Sequence, residues 1–181
     1  MKKEAFRVKG KRVFLRYPDI SDLDEFTRLA RKSEQFHRGV FRLARTKAEF
    51  QHLLERASTD STEIVLICKA ESGRIVGVIS LSQIFYGPFK SAYMGYALGI
   101  GFTGKGYATE AIRLMTRHAF MELKLHRIEA NIQPQNKASK NAAKRSGFLL
   151  EGYSPRYLKI GGKWRDHERW AITKEDWKEK K

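Results

Sequence analysis

Apolar and polar positions change period several times along the chain, and each change predicts an element. Lys11–Tyr17 reads as a strand that Pro18 ends. Ser21 is placed to cap a helix running to about Ser33. Thr46 and Glu49 have the T-x-x-E spacing of a capping box, so a second helix is expected from Lys47 to Ala57. Glu63–Ala70 and Arg74–Phe85 are strand-like and joined at Ser72-Gly73, a hairpin signal. Gly87-Pro88 breaks the pattern before a third strand, Ala92–Gly99. Tyr107–Leu123 then changes to helical spacing, with Ala108, Ala111, Ile112, Met115 and Ala119 on one face. Arg127–Gln133 is again a strand, ended by Pro134. Lys137–Arg145 is a short helix closed by Gly147, which enters the left-handed region without a Cβ penalty. Phe148–Lys159 and Trp164–Thr173 form a last hairpin through Gly161-Gly162, and a few polar residues follow. The order is strand, two helices, three-strand meander, helix, strand, helix and hairpin. It predicts an α+β (mixed α/β) domain.

Composition narrows the class. With 181 residues, a single domain over positions 1–181 is expected, its core spanning about 9–178. No apolar run approaches the roughly 18 residues that cross a membrane. Met1-Lys2-Lys3 resembles the start of a signal peptide, but Arg7, Lys9, Lys11 and Arg12 follow where an apolar stretch belongs. Cys68 is the single cysteine, so an intramolecular disulfide is excluded, and its place in the apolar run Ile64–Cys68 makes it a buried thiol. These features predict a cytoplasmic protein. The 36 basic and 20 acidic residues give a net charge of +16. Such a surface attracts RNA, ribosomes or polyanionic ligands, unless it is merely a solvated basic face. No zinc-ligand spacing occurs, and no metal is expected.

The chemistry concentrates in Gly99-Ile-Gly-Phe-Thr-Gly-Lys-Gly-Tyr-Ala108, between a strand and a helix. Glycines let backbone N–H groups converge, and a helix N-terminus adds donors and positive potential. Three phosphate motifs overlap there. Gly99-x-Gly101-x-x-Gly104 matches a dinucleotide fingerprint, but an antiparallel meander precedes it instead of opening a βαβ unit. Gly99-x-x-x-x-Gly104-Lys105 is nearly a Walker A loop, yet Gly106 stands where the Mg²⁺-binding hydroxyl is required. Thr103-x-x-Gly106-x-Ala108 fits the coenzyme A loop R/Q-x-x-G-x-G/A of the GNAT superfamily of N-acetyltransferases, with Thr103 departing at the first position.

Later residues sharpen that resemblance. Lys124-Leu-His-Arg-Ile-Glu-Ala-Asn131, Pro134, Asn136, Ser139, Gly147-Phe148 and Glu151-Gly152 resemble the RimJ/RimL branch, the ribosomal-protein N-terminal acetyltransferases. Gly95-Tyr96, Thr109-Glu110-Ala111 and Val13–Arg16 leading to Asp22 also fit. Tyr157-Leu-x-Ile-x-Gly-x-Trp-Arg-Asp-His167 looks most like the RimJ side, the ribosomal-protein alanine N-acetyltransferases. The resemblance covers about residues 9–178. It implies a mixed sheet whose strands at Ala92–Gly99 and Arg127–Gln133 splay into a wedge. It also implies acetyl-coenzyme A as cosubstrate. The diphosphate would lie on the amides of Thr103, Gly104, Lys105, Gly106, Tyr107 and Ala108, and pantetheine would run along Leu98 to Ile100 and meet Asn136. The implied acceptor is a protein N-terminal amine, the N-terminal alanine of a ribosomal protein. The positive charge would aid association with ribosome or RNA. A small-molecule amine (polyamine, amino acid or antibiotic) is a second reading, and a non-catalytic RNA- or ribosome-binding module on the same fold a third.

The implied reaction needs a neutral amine, donors for the developing oxyanion and a proton for the leaving thiolate. An α-amine has a pKa of about 8 and a lysine about 10.4, so at pH 7 deprotonation costs roughly 1.4 and 4.6 kcal/mol respectively. An N-terminal acetyltransferase can therefore work through a water relay. As acid, many members use a Tyr at the position held here by Ala143. RimL-like proteins place a Ser at Ser139, which makes Ser139 the catalytic candidate, its alternative being a helix-start hydroxyl. Asn136 has the alternative of a helix cap. The carboxylate proposed as base in RimL-like proteins falls on Leu158. Glu110, the pair Asp166 and His167, and Tyr93 and Tyr96 are the other polar candidates, with structural or surface roles as their default.

Overall fold

The structure is a computed structural model that describes residues 7–57 and 59–178. Met1-Lys2-Lys3 and the polar end of the chain lie outside the described residues. One sheet of eight strands runs through the molecule: β1 (Arg7–Lys9), β2 (Val13–Arg16), β3 (Thr62–Lys69), β4 (Ile75–Phe85), β5 (Ser91–Leu98), β6 (Arg127–Ile132), β7 (Leu149–Ile160) and β8 (Lys163–Thr173). Their order is β1-β2-β3-β4-β5-β6-β8-β7. Every neighbouring pair is antiparallel except β5 with β6, which is parallel. The α+β prediction holds.

Four helices cover the two faces: α1 (Leu23–Lys32), α2 (Lys47–Ala57), α3 (Tyr107–Met121) and α4 (Lys137–Arg145). Strand β3 is buried along almost its whole length because both faces are covered. Its period of two sends Val65 and Ile67 into a core with Ala111, Ile112, Met115 and Ala119 of α3. Ile64, Leu66 and Cys68 go to a second core with Phe26 of α1 and Phe50 of α2. The same alternation places even-numbered β6 and β8 residues, such as Ala130, Ile132, Trp170 and Ile172, on the α3/α4 face. Odd-numbered ones, including Asn131 and His167, face the α1/α2 side, as does Gln133 just past β6, which reaches Gly39.

Two local expectations need correction. Ser21 does not cap the first helix. Asp19 caps a 3-10 turn, Ile20–Asp22, and α1 begins only at Leu23. The Asp19 carboxylate accepts from Ser21 N–H at 2.9 Å, and Asp22 returns the contact by accepting from Asp19 N–H at 2.8 Å. An ionised carboxylate is the stronger acceptor, and the Ser21 hydroxyl itself donates to Asp19. Asp22 is further fixed by a two-pronged bond from Arg16 at 2.7 and 2.6 Å. The second correction is at the N-terminal edge: β2 spans only Val13–Arg16 and forms a hairpin with the unanticipated β1. At α2, Thr46 Oγ1 accepts from Glu49 N–H at 3.2 Å as expected, while the Glu49 carboxylate takes Arg45 N–H.

Candidate active site

Strands β5 and β6 pair only at Ser91–Arg127, Ala92–Ile128 and Tyr93–Glu129. Beyond Tyr93 they part, so the expected wedge is present. Gly99 N–H donates to the Val76 carbonyl at 2.8 Å. By antiparallel alternation, Gly95 and Ala97 also turn their polar groups toward β4, and Tyr96 and Leu98 turn theirs into the wedge. The Tyr96 ring crosses the gap: its hydroxyl donates to the Ser139 carbonyl at 2.9 Å and ties β5 to the first turn of α4. Burial pushes the Tyr96 phenol up to about 12, so it keeps its proton and stays a hydrogen-bond donor across the physiological range.

The segment between α1 and α2 closes one side of this opening. His37 Nε2 lies 2.8 Å from the Leu98 carbonyl, and Ile100 N–H donates to Ser33 Oγ at 2.9 Å. Gln133 Nε2 donates to the Gly39 carbonyl at 2.8 Å, which ties the same segment to the end of β6. Burial lowers the His37 pKa and keeps the ring neutral, so Nε2 is its N–H donor. Two backbone groups near the expected pantetheine path, the Leu98 carbonyl and Ile100 N–H, thus already have protein partners. No pattern of residues signalled this segment, because it has no regular period.

The glycine loop has the form of an anion cradle. Gly101, Gly104 and Gly106 sit at φ of 85°, 76° and 80°. A Cβ at Gly101 or Gly104 would meet nothing within 4 Å, so the loop is open there. Gly106 is the N-cap of α3 and brings no side chain to its first-turn amides. Thr103, Gly104 and Lys105 are exposed, and Gly106, Tyr107 and Ala108 half-buried. From the far side Arg12 Nη1 donates to the Lys105 carbonyl at 3.0 Å, and Arg12 N–H donates to Glu110 at 3.0 Å. Glu110 is therefore a brace between the β1–β2 hairpin and α3. The open glycine backbone, the uncapped helix start and the Lys105 charge fit a diphosphate.

A cavity of about 640 Å³ passes from the wedge to the α1/α2 side. Ser139 and Asn136 line it. The Asn136 side-chain oxygen accepts from Ser139 N–H at 3.1 Å, so the helix-cap role is present. Ala143 is buried in the core, and Leu158 lines the cavity. Of the charged lining groups, Arg42, Arg56 and His52 are exposed, and Glu49 is the carboxylate. Glu49 is engaged by Arg45 N–H at 2.7 Å and by the Arg42 guanidinium, and both hold its pKa down. Asp166 and His167 are not a surface pair. Asp166 takes the Tyr153 hydroxyl and Arg156 N–H, and His167 is buried in the cavity wall. Among the described residues no helix is long and apolar enough to cross a membrane.

Comparison with known proteins agrees with this geometry. Residues 12–149 match the family model described as an acetyltransferase (GNAT) domain. The chain is 33% identical over 177 residues to the probable N-acetyltransferase YjcK of Bacillus subtilis, covering 93% of this chain and 98% of that one. It is 42% identical over 103 residues to the [ribosomal protein uS5]-alanine N-acetyltransferase of Escherichia coli, a match that spans 57% of this chain and about half, 53%, of the relative. The structure of Mycobacterium smegmatis RimJ in complex with CoA-disulfide superposes with a TM-score of 0.85 at 27% identity, covering 91% of this chain and 83% of that one.

Proposed function

Because the chain belongs to the GNAT acetyltransferase family, an N-acetyltransferase family by the names of its relatives, we propose that it acetylates a protein N-terminal amine, first among them the N-terminal alanine of a ribosomal protein. The observation that carries this choice of acceptor is the charge of the cavity. Among the described residues its one lining carboxylate, Glu49, is held by Arg42 and the Arg45 N–H, while Arg42 and Arg56 keep the lining net positive. A polyamine would meet repulsion there, whereas a peptide N-terminus carries one positive charge that is lost on acetylation. The names of the uS5-alanine acetyltransferase and RimJ relatives support the same reading.

Acetyl-coenzyme A, when bound, supplies the activated acetyl thioester. Backbone amides of Thr103–Ala108, with Lys105, hold its diphosphate. Leu98 faces the wedge through its N–H, and Ile100 and Asn136 border the pantetheine path. Ser139, at the start of α4, protonates the leaving sulfur. The segment around His37 keeps water from the wedge on one side, which favours orientation over bulk solvation. The net charge of +16 supports work beside the ribosome in the cytoplasm.

Incubation with acetyl-coenzyme A and ribosomal subunits from an unacetylated strain tests the reading. One ribosomal protein should gain a single acetyl mass, localised to its N-terminus. Rapid turnover of spermidine with all ribosomal masses unchanged would replace the protein acceptor by a polyamine. Coenzyme A binding without turnover of any amine would leave a binding module.

A further inference from the structure

We infer that His167 is the general base, taking the proton from the acceptor amine through Nε2. This rests on the acetyl-transfer reading above and supplies the one group that reading lacked.

The two faces of the sheet set the geometry. Ser139 belongs to α4 and lies on the α3/α4 side of the wedge, where Tyr96 reaches it. His167 is on β8 among odd-numbered residues that face the α1/α2 side, opposite Trp170 and Ile172. Both line one cavity. Acyl transfer is compatible with this arrangement, since the amine adds from above the carbonyl plane while the sulfur lies within that plane, so the two proton positions are separate. An acid on one side and a base on the other match the two proton positions.

The ring is also held in the right tautomer. His167 Nδ1 lies 3.0 Å from the Arg165 carbonyl, an acceptor only, so Nδ1 carries the hydrogen and Nε2 keeps its lone pair. Tyr157 packs edge-on against the imidazole at 6.0 Å between centroids. Neighbouring charges are turned away. Asp166 is engaged by Tyr153 and Arg156, and Glu168 on the opposite face pairs with Lys140 at 2.9 Å and Trp170 at 3.0 Å. Arg165 and Arg169 of the same strand, Asn131 of β6 and Gln133 just beyond it share the odd-numbered side with His167, and Ser154 is its cross-strand neighbour on β7.

The other titratable lining groups are unsuited. Glu49 is held as a weakly basic carboxylate by Arg45 N–H and Arg42, and burial raises the Tyr93 and Tyr96 phenols, which keeps them protonated. His52 is at the exposed rim, beside Glu55 at 3.5 Å. Balance is then simple. As the amine nitrogen bonds the acetyl carbon and the carbon–sulfur bond breaks, the amine proton passes to Nε2 and on to solvent, and the sulfur takes a proton from the Ser139 hydroxyl, which regains one from solvent.

His167→Asn tests the assignment, because the Asn amide can still donate to the Arg165 carbonyl but cannot accept a proton. With acetyl-coenzyme A and an alanine-initiated peptide, kcat at pH 7 should fall about tenfold to a hundredfold. Coenzyme A affinity should stay within twofold. The deficit should shrink as pH rises past the amine pKa of about 8, where free amine no longer needs a base. Added imidazole should partly restore His167→Ala, a gain that a packing role would not produce. A variant with unchanged kcat, or a loss equal at every pH and insensitive to imidazole, overturns the inference. If the wild-type enzyme rejects the peptide but acetylates another amine, the acceptor reading fails alone. The same pH series with that amine then decides for or against His167.

Discussion

At the scale of single residues, two side chains of the proposed site give separable predictions. Ser139→Ala should lower kcat by about tenfold to a hundredfold with coenzyme A affinity unchanged, because leaving-group protonation acts only in the transition state. If Ser139 served only the first helical turn, the variant would lose about 1 kcal/mol of stability with kcat per folded molecule intact, and a melting curve on the same preparation separates the two. Arg12 works through one peptide plane. The Lys105 carbonyl and the Gly106 N–H point in opposite directions, so holding the carbonyl at Arg12 would aim the amide into the proposed phosphate cradle. Arg12→Ala should therefore raise the KM for acetyl-coenzyme A about fivefold and leave the acceptor KM alone. An unchanged coenzyme KM would show that the contact is idle. Ser139 and Asn136 were legible as a motif. The reach of Arg12 to the loop, and of His37 and Ser33 to Leu98 and Ile100, was not, because contacts across 93, 61 and 67 positions leave no local pattern. His167 was named as a candidate, but only the folded structure shows that it is buried in the cavity wall on the α1/α2 side.

At the scale of elements, periodicity carried most of the fold. The α3 face at Ala111, Ile112, Met115 and Ala119 was visible because helical spacing and burial coincide. Strand β1 was not, since three residues hold less than two full alternations. The irregular register of β7 was equally hidden, as its shifts at Leu150/Gly152 and Ser154/Leu158 depend on β8 and not on its own residues. The close packing of β4 on β5 was hidden too. A Cβ at Gly77 would overlap the Ala97 carbonyl and crowd Leu98, next to the strand that borders the wedge. Backbone atoms cannot yield as a side-chain tip does. Gly77→Ala should therefore cost about 1–3 kcal/mol, seen as a lower urea midpoint at constant slope. A midpoint within error of the wild type would mean that β4 shifts freely.

At the scale of the whole molecule, charge and buried acids set the response to solution conditions. If the positive surface recruits the ribosome, association should weaken steeply between low and physiological salt, while turnover of a short uncharged peptide changes little. Parallel salt slopes for the two substrates would count against recruitment by charge. Alkaline stability follows from burial. Desolvation pushes the Cys68 thiol up to about 11 and the Tyr96 phenol up to about 12. The unfolded chain loses these protons first, at about 8.5 and 10, so it binds fewer protons than the native state above those values. Stability from both groups is complete below about pH 8 and is lost as pH climbs toward 12. The melting temperature should be flat to that point and then decline, and Cys68→Val should move the start of the decline upward. A decline beginning at neutral pH would point to other groups.

The parting of β5 from β6 gives the free protein a sheet that is one strand short at its centre. Along β5, the amides of Gly95 and Ala97 turn to β4, and those of Tyr96 and Leu98 turn to an edge that no described strand fills. Hydrogen–deuterium exchange should read this as a comb, slow and fast teeth alternating along a single strand that otherwise looks uniformly interior. An extended ligand chain bearing its own amide groups would complete the ladder and slow the fast teeth. Binding would then be, in part, a last step of folding, with the melting temperature rising with ligand concentration well beyond its dissociation constant.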